Sequence, residues 1–118
     1  MKSGNLPAGL GIAVLGLAVW TSARDYAGDS LAVRQLLDLN GLSSIRVEEV
    51  SAVRDGRILA VNLAQKGISV VPPSIGTLSE LIQLDLTGNA IESLPDEFGN
   101  LTKLQQLRLQ GNRLSSVP

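Results

Sequence analysis

Residues 81–103 read LIQLDLTGNAIESLPDEFGNLTK, and the chain then begins the same phrase again, with residues 104–118 reading LQQLRLQGNRLSSVP. Leu81, Leu84, Leu86, Asn89 and Ile91 return 23 residues later as Leu104, Leu107, Leu109, Asn112 and Leu114. Moving back by the same interval lands on Ile58, Val61, Leu63, Lys66 and Ile68, a more degenerate copy. A fixed period of this length predicts a solenoid, in which each unit repeats an inward apolar set and varies the residues between.

The spacing inside a unit has a direct physical reading. Leu84 and Leu86 lie two apart, so in an extended segment both point to one face while Asp85 points to the other. After Gly88, the short amide of Asn89 suits the place where the extended run must bend. Ile91, Leu94, Phe98 and Leu101 then carry apolar groups back along the far side, with Pro95 punctuating the return. Each unit is expected to be a strand, a turn and an irregular or one-turn helical arc.

This phrasing resembles the leucine-rich repeat, L-x-x-L-x-L-x-x-N-x-L continued as x-x-L-P-x-x-F-x-x-L. Residues 81–103 fit every slot, residues 104–118 fit as far as they run, and residues 58–80 depart at Lys66. The resemblance implies an α/β fold, a short right-handed solenoid with parallel strands on its concave face. It also implies a role in protein binding.

Working outward from the repeats, residues 24–57 read as an N-terminal cap. Asp29 or Ser30 is a candidate helix N-cap, Val33, Leu36, Leu37 and Leu39 have helical spacing, and Asn40-Gly41 is a stop signal. Val47 to Arg54 and Arg57 to Leu63 flank Asp55-Gly56, the two-residue signal of a tight hairpin. In that register Val50 faces Val61 and Ala52 faces Leu59, and the hairpin covers the edge of the first repeat strand. A helix followed by such a hairpin resembles the cap of secreted and receptor-type leucine-rich repeats, here without cysteines.

Residues 1–23 have the layout of a secretory signal. Lys2 is the only charge in the first five residues, Leu6 to Trp20 is uncharged and apolar, and Thr21-Ser22-Ala23 supplies small residues ahead of Arg24 and Asp25. Cleavage after Ala23 is expected, giving a secreted, periplasmic or extracellular domain. The alternative is a retained membrane anchor over residues 6–23 that holds the same domain outside the cytoplasm, and only then is a membrane contact expected.

At the other end, residues 104–118 stop inside their unit, before the equivalents of Phe98 and Leu101. Leu104, Leu107, Leu109 and Leu114 are expected to have neighbours on one side only. The sequence therefore reads as a fragment of a longer repeat protein, a truncated frame, or a domain that self-associates through its last repeat.

Composition narrows the chemistry. The 118 residues carry 10 Lys and Arg against 11 Asp and Glu, and no His or Cys. Near-neutral charge without clusters, and aromatic residues limited to Trp20, Tyr26 and Phe98, leave no phosphate-tracking stripe or base-stacking platform, so no nucleic acid partner is expected. The missing thiols and imidazoles remove disulfides, zinc sites and the commonest general base. Glu48 and Glu49 point to opposite faces if that segment is extended, which suits a solvated surface rather than a catalytic pair. Gly9 and Gly11 lack the strand a phosphate loop needs. No catalytic residue, cofactor or metal is expected. Asn100-Leu101-Thr102 is formally a glycosylation acceptor, but the same residues fit the arc of the repeat.

Solvent-facing strand positions form three columns: Ala60, Gln83 and Gln106; Asn62, Asp85 and Arg108; Ala64, Thr87 and Gln110. From these come the candidate partner-binding residues Asn62, Gln83, Asp85, Thr87, Gln106, Arg108 and Gln110, with Arg113 as a further charged anchor near the last turn. Asp85 and Arg108 fall about 4.8 Å apart at the backbone and are expected to pair, contributing ~0.5 kcal/mol. A dozen or so outward residues is few against the roughly 20–30 per partner of a standard interface. The leading reading is an extracytoplasmic protein-interaction module from the N-terminal part of a longer protein. Its competitors are the targeting or regulatory segment of an enzyme or receptor kinase, and a remnant without function.

Overall fold

The structure is a computed structural model that describes residues 17–115, with side chains placed from residue 26 onward. Helix α1 (Leu17–Leu39) leads into a single helical turn, α2 (Val47–Val50), and then the hairpin β1 (Ser51–Arg54) and β2 (Arg57–Asn62). Two further strands follow, β3 (Gln83–Asp85) and β4 (Gln106–Arg108), each preceded by a 3-10 turn, Pro73–Thr77 and Asp96–Asn100. Together the strands form one sheet in the order β1-β2-β3-β4, antiparallel at its first pair and parallel thereafter.

The parallel register preserves the sequence period without slippage: Val61 lies beside Leu84 and Leu84 beside Leu107. Three coils thus stack in phase, and their inward residues make one core. Ile58, Val61, Leu63 and Ile68 of the first coil, and Leu81, Leu84, Leu86 and Ile91 of the second, are all buried. On the return path Ile75, Leu78, Phe98 and Leu101 close the far side. The expected one-turn arcs are the two 3-10 turns, each opened by a proline whose fixed φ suits the start of a helical turn. In the third coil burial falls away: Leu104, Leu109 and Leu114 are half-buried and Leu107 is 37% exposed.

Polar side chains bind the coils together along the bend. The Asn89 carboxamide accepts from the amides of Lys66 and Ile68 at 3.0 and 2.9 Å, and donates to the carbonyls of Leu63 and Leu86 at 2.9 Å each. Asn112 repeats the pattern one coil on, accepting from Ile91 and donating to Leu86 and Leu109. The departure at Lys66 leaves no gap, because its own amide is already taken by Asn89. On the other side of the first coil Asn40 does comparable work: its side chain accepts from the amides of Ser69 and Val70 and donates to the carbonyls of Leu36 and Val70.

Helix α1 lies against β2 and the first 3-10 turn, burying Ala32, Val33, Leu36 and Leu37. It stops where expected. Gly41 takes a φ of 74°, and Leu42 and Gly41 donate to the carbonyls of Leu37 and Asp38, the paired bonds that close a helix through a left-handed residue. Three expectations are corrected. Leu39 is 54% exposed, one position past the buried stripe. Asp29 and Ser30 are not an N-cap, because the helix is already formed from Leu17. Asp29 is instead buried and accepts from Arg57 Nε and from the Ile58 amide, both at 2.9 Å, while Arg57 also reaches the Ser79 hydroxyl. This part-buried pair ties α1, the hairpin and the first coil together.

The third correction concerns the hairpin. Asp55 and Gly56 both have positive φ, as a tight two-residue turn requires, and Arg54 pairs with Arg57 as expected. Beyond Val53 and Ile58 an irregularity shifts the register, so Ala52 faces Ala60 and Ser51 faces Val61. The expected pairings of Val50 with Val61 and Ala52 with Leu59 are displaced by the extra residue on β2. Residues 47–50 also form a helical turn rather than the start of the strand, with Val47 and Val50 buried one turn apart and Glu48 and Glu49 exposed. The signal-like segment falls at residues 1–16, outside the described residues, and on the first turns of α1, where the expected cleavage point after Ala23 is helical.

Candidate functional site

Because strand side chains alternate, turning Val61, Leu84 and Leu107 to one face sends their neighbours to the opposite one. Ala60, Gln83 and Gln106 stand in one register row, and Asn62, Asp85 and Arg108 in the next. The residues of both rows line an open groove of about 510 Å³ that crosses the sheet. Five of the expected binding residues meet here: Asn62, Gln83, Asp85, Gln106 and Arg108.

Three others do not. Thr87 and Gln110 lie past the strand ends, where their carbonyls accept from Gln65 and Gly88 in the preceding coil, and Arg113 follows the ladder asparagine on the segment leaving the sheet. Conversely, Glu49, Ser51 and Ala52 join the groove from α2 and β1. Their contribution was hidden by reading residues 47–50 as strand. The signal that finds it is the spacing of Val47 and Val50, three apart around two acidic residues, which fits one helical turn.

The first row is tied by an amide bond between coils, with Gln83 Nε2 donating to Gln106 Oε1 at 3.0 Å. In the second row the side chains behave unequally. Asn62 turns its oxygen back on its own turn to accept from the Ala64 amide, and Asp85 accepts from the Thr87 amide, each at 3.0 Å. Arg108 has no acceptor with which to repeat that bond. Asp85 and Arg108 are register partners but form no ion pair among the described residues, contrary to expectation. Hydrogen bonds from the Thr87 side chain and backbone hold the Asp85 carboxyl below its ordinary value, and the Arg108 charge adds to them. At the groove's β1 end Glu49 is bonded to Arg46 at 3.1 Å in an exposed pair.

On the rim of the same stack, Lys103 and Glu80 pair across 23 residues at 2.9 Å, and that hydrogen bond lowers the Glu80 pKa. No group of three His, Cys, Asp or Glu side chains gathers as a metal site among the described residues. The groove is therefore a polar, amide-rich surface with an acceptor-rich centre and one cationic margin. Such a face offers hydrogen bonds and charge rather than converging catalytic groups.

Residues 59–114 match the profile of a family described as leucine rich repeat. Among solved structures, an LRR protein of Leptospira interrogans is similar with a TM-score of 0.52 and 30% sequence identity, covering 58% of this chain and 19% of that one. The LRR ectodomain of the receptor kinase SOBIR1 from Arabidopsis thaliana has a TM-score of 0.61 and 22% identity, covering 75% of this chain and 55% of that one, a likeness of fold. This chain thus spans 19% and 55% of the lengths of these two neighbours. No curated protein matches the sequence.

Proposed function

Since the chain is a leucine-rich repeat protein, we propose that it is a protein-binding module acting outside the cytoplasm, and that its partner lies across the concave face of β2, β3 and β4. The observation that carries this reading is the groove itself. Its floor repeats in backbone and varies in side chain, from Ala60 to Gln83 to Gln106 and from Asn62 to Asp85 to Arg108. A surface built to be read has that form, whereas catalysis needs converging groups. Binding, without cofactor or chemistry, is the role this reading assigns.

The extracytoplasmic part of the proposal rests on the segment before Arg24, with its single early charge, apolar run and small residues. In this reading the repeats belong to a longer protein, and α1 with the β1-β2 hairpin serves as the cap of their N-terminal end.

Two measurements test the proposal. Capture of partners from the native host by the immobilised chain, followed by mass spectrometry, should lose its specific partner when Gln83 and Arg108 are both changed to alanine. Unchanged capture of every protein would remove the concave face from the account. Intact-mass analysis of the protein from its host should give a mature chain beginning at Arg24, and a chain retaining Leu6 to Trp20 would replace secretion with anchorage.

A further inference from the structure

We infer that the occupant of the groove is a short extended segment of a partner protein, placing a basic side chain over the Glu49 and Asp85 side and an acidic side chain over Arg108. The inference rests on the concave face being the binding surface and adds the chemistry of what it binds.

Charge and hydrogen-bonding capacity are ordered across the sheet. Asn62, Asp85 and Arg108 occupy one register row, and Glu49 lines the same groove from the turn that leads into β1. Asp85 and Glu49, the latter in an exposed pair with Arg46, are acceptors, while the Arg108 side chain has neither a hydrogen bond nor an ion pair among the described residues. The adjoining row has the same polarity. Gln83 gives its Nε2 to Gln106 Oε1, so β3 keeps a carbonyl oxygen as acceptor and β4 keeps an Nε2 as donor. Acceptors therefore stand on β3 beside donors on β4, at the strand spacing of about 4.8 Å.

That order selects among ligands. A polyanion would meet Glu49 and Asp85 before reaching Arg108, and an apolar helix would find amides, two alanines and the already buried Val50, Val61 and Leu84 in place of an exposed hydrophobic stripe. A carboxylate set on Arg108 gains charge-assisted hydrogen bonds in the fork geometry of the guanidinium, with Gln106 Nε2 as a second donor. An ammonium or guanidinium over Asp85 meets a carboxylate that the Thr87 amide already holds in place through Oδ1. The four strands span about 14 Å, the reach of about four extended residues at about 3.3 Å each.

The test uses four capped pentapeptides on the full chain: Lys-Gln-Ala-Gln-Glu, its forms with Lys at both ends and Glu at both ends, and a neutral form with Gln at both ends. Titration followed by amide NMR should show the mixed-charge peptide shifting β3 and β4 amides and binding about tenfold tighter than the others. R108E should reverse the preference toward the peptide with two lysines, and R108Q should abolish the advantage of the mixed peptide without reversing it. Both changes are at an exposed position, and unchanged far-ultraviolet circular dichroism checks that the fold survives. Equal shifts from all four peptides on β3 and β4 would overturn the charge order while leaving the concave face as a binding surface. No shift from any of them, together with partner capture insensitive to changes at Gln83 and Arg108, would overturn the face as well.

Discussion

The second and third coils carry nearly the same residues in the same register, yet they are held very differently. Leu84 is 1% exposed and its counterpart Leu107 is 37% exposed. Asn89 accepts two backbone amides where Asn112 accepts one. The same dependence shows one coil earlier on the return path, where a Cβ added at Gly76 of the first coil would meet the Glu97 carbonyl oxygen at 2.6 Å, whereas one at Gly99, its equivalent in the second, would meet nothing within 4 Å. In this architecture a residue's energetic worth comes from the coil stacked on it, and identical sequence does not confer identical stability.

The comparison can be broken most directly at the ladder. Asn89→Ala is expected to cost about 4 kcal/mol, because it strands the amides of Lys66 and Ile68 and the carbonyl of Leu63, and Asn112→Ala about 1 kcal/mol. Urea midpoints of the two variants check this, and equal losses would refute the dependence on neighbours. Next in size are the strand leucines: Leu84→Ala should lower stability by about 3 kcal/mol through a closed cavity, and Leu107→Ala by less than about 1 kcal/mol, since its site already opens to water.

Glycine sharpens the contrast further. Gly76→Ala forces the coils apart at a backbone contact and should cost about 2 kcal/mol, while Gly99→Ala should fall within about 0.5 kcal/mol of wild type. The smallest effect is that of acid. Asp85 and Glu80 have pKa values lowered from 3.8 and 4.5, chiefly by hydrogen bonds from Thr87 and Lys103 respectively. Their contribution is present above those ordinary values and is lost as pH falls through the lowered ones. Because Glu80 ends the first coil and Lys103 ends the second, acidification below about pH 4 should raise amide exchange first where these two ends meet, at residues 80–82 and 103–105, and Glu80→Gln should reproduce this at neutral pH.

Most of the repeat architecture was legible in the sequence, because period alone determines which residues stack. The positions of Leu81, Leu84, Leu86 and Ile91 required no knowledge of their neighbours. The region before the repeats was only partly legible. Asp29 has the chemistry of a cap and the position of a buried clamp, and nothing local to it announces Arg57, 28 residues away. Asn40 was readable as a helix stop, but its bonds to Ser69 and Val70 depend on how α1 docks. The hairpin turn could be read from Asp55-Gly56, whereas the register shift past Val53 is imposed by burying Val61 and Ile58 on the same core. For the site, the alternation within strands gave five of the eight residues. Thr87 and Gln110 were assigned as though the strands ran further than they do, and Arg113 as a charged anchor near the last turn, outside the alternation.

The carboxylate of Asp29 has one last consequence. By gripping the hairpin and, through Arg57, the end of the first coil at Ser79, it makes one bank of the groove stiff, while Arg108 stands on the bank with least packing beneath it. Recognition on such a surface is paired with ordering: a ligand that seizes the loose bank restrains the last coil as it binds, so affinity is won against that coil's own freedom, and firmer footing under Arg108 would tighten the grip without a new contact.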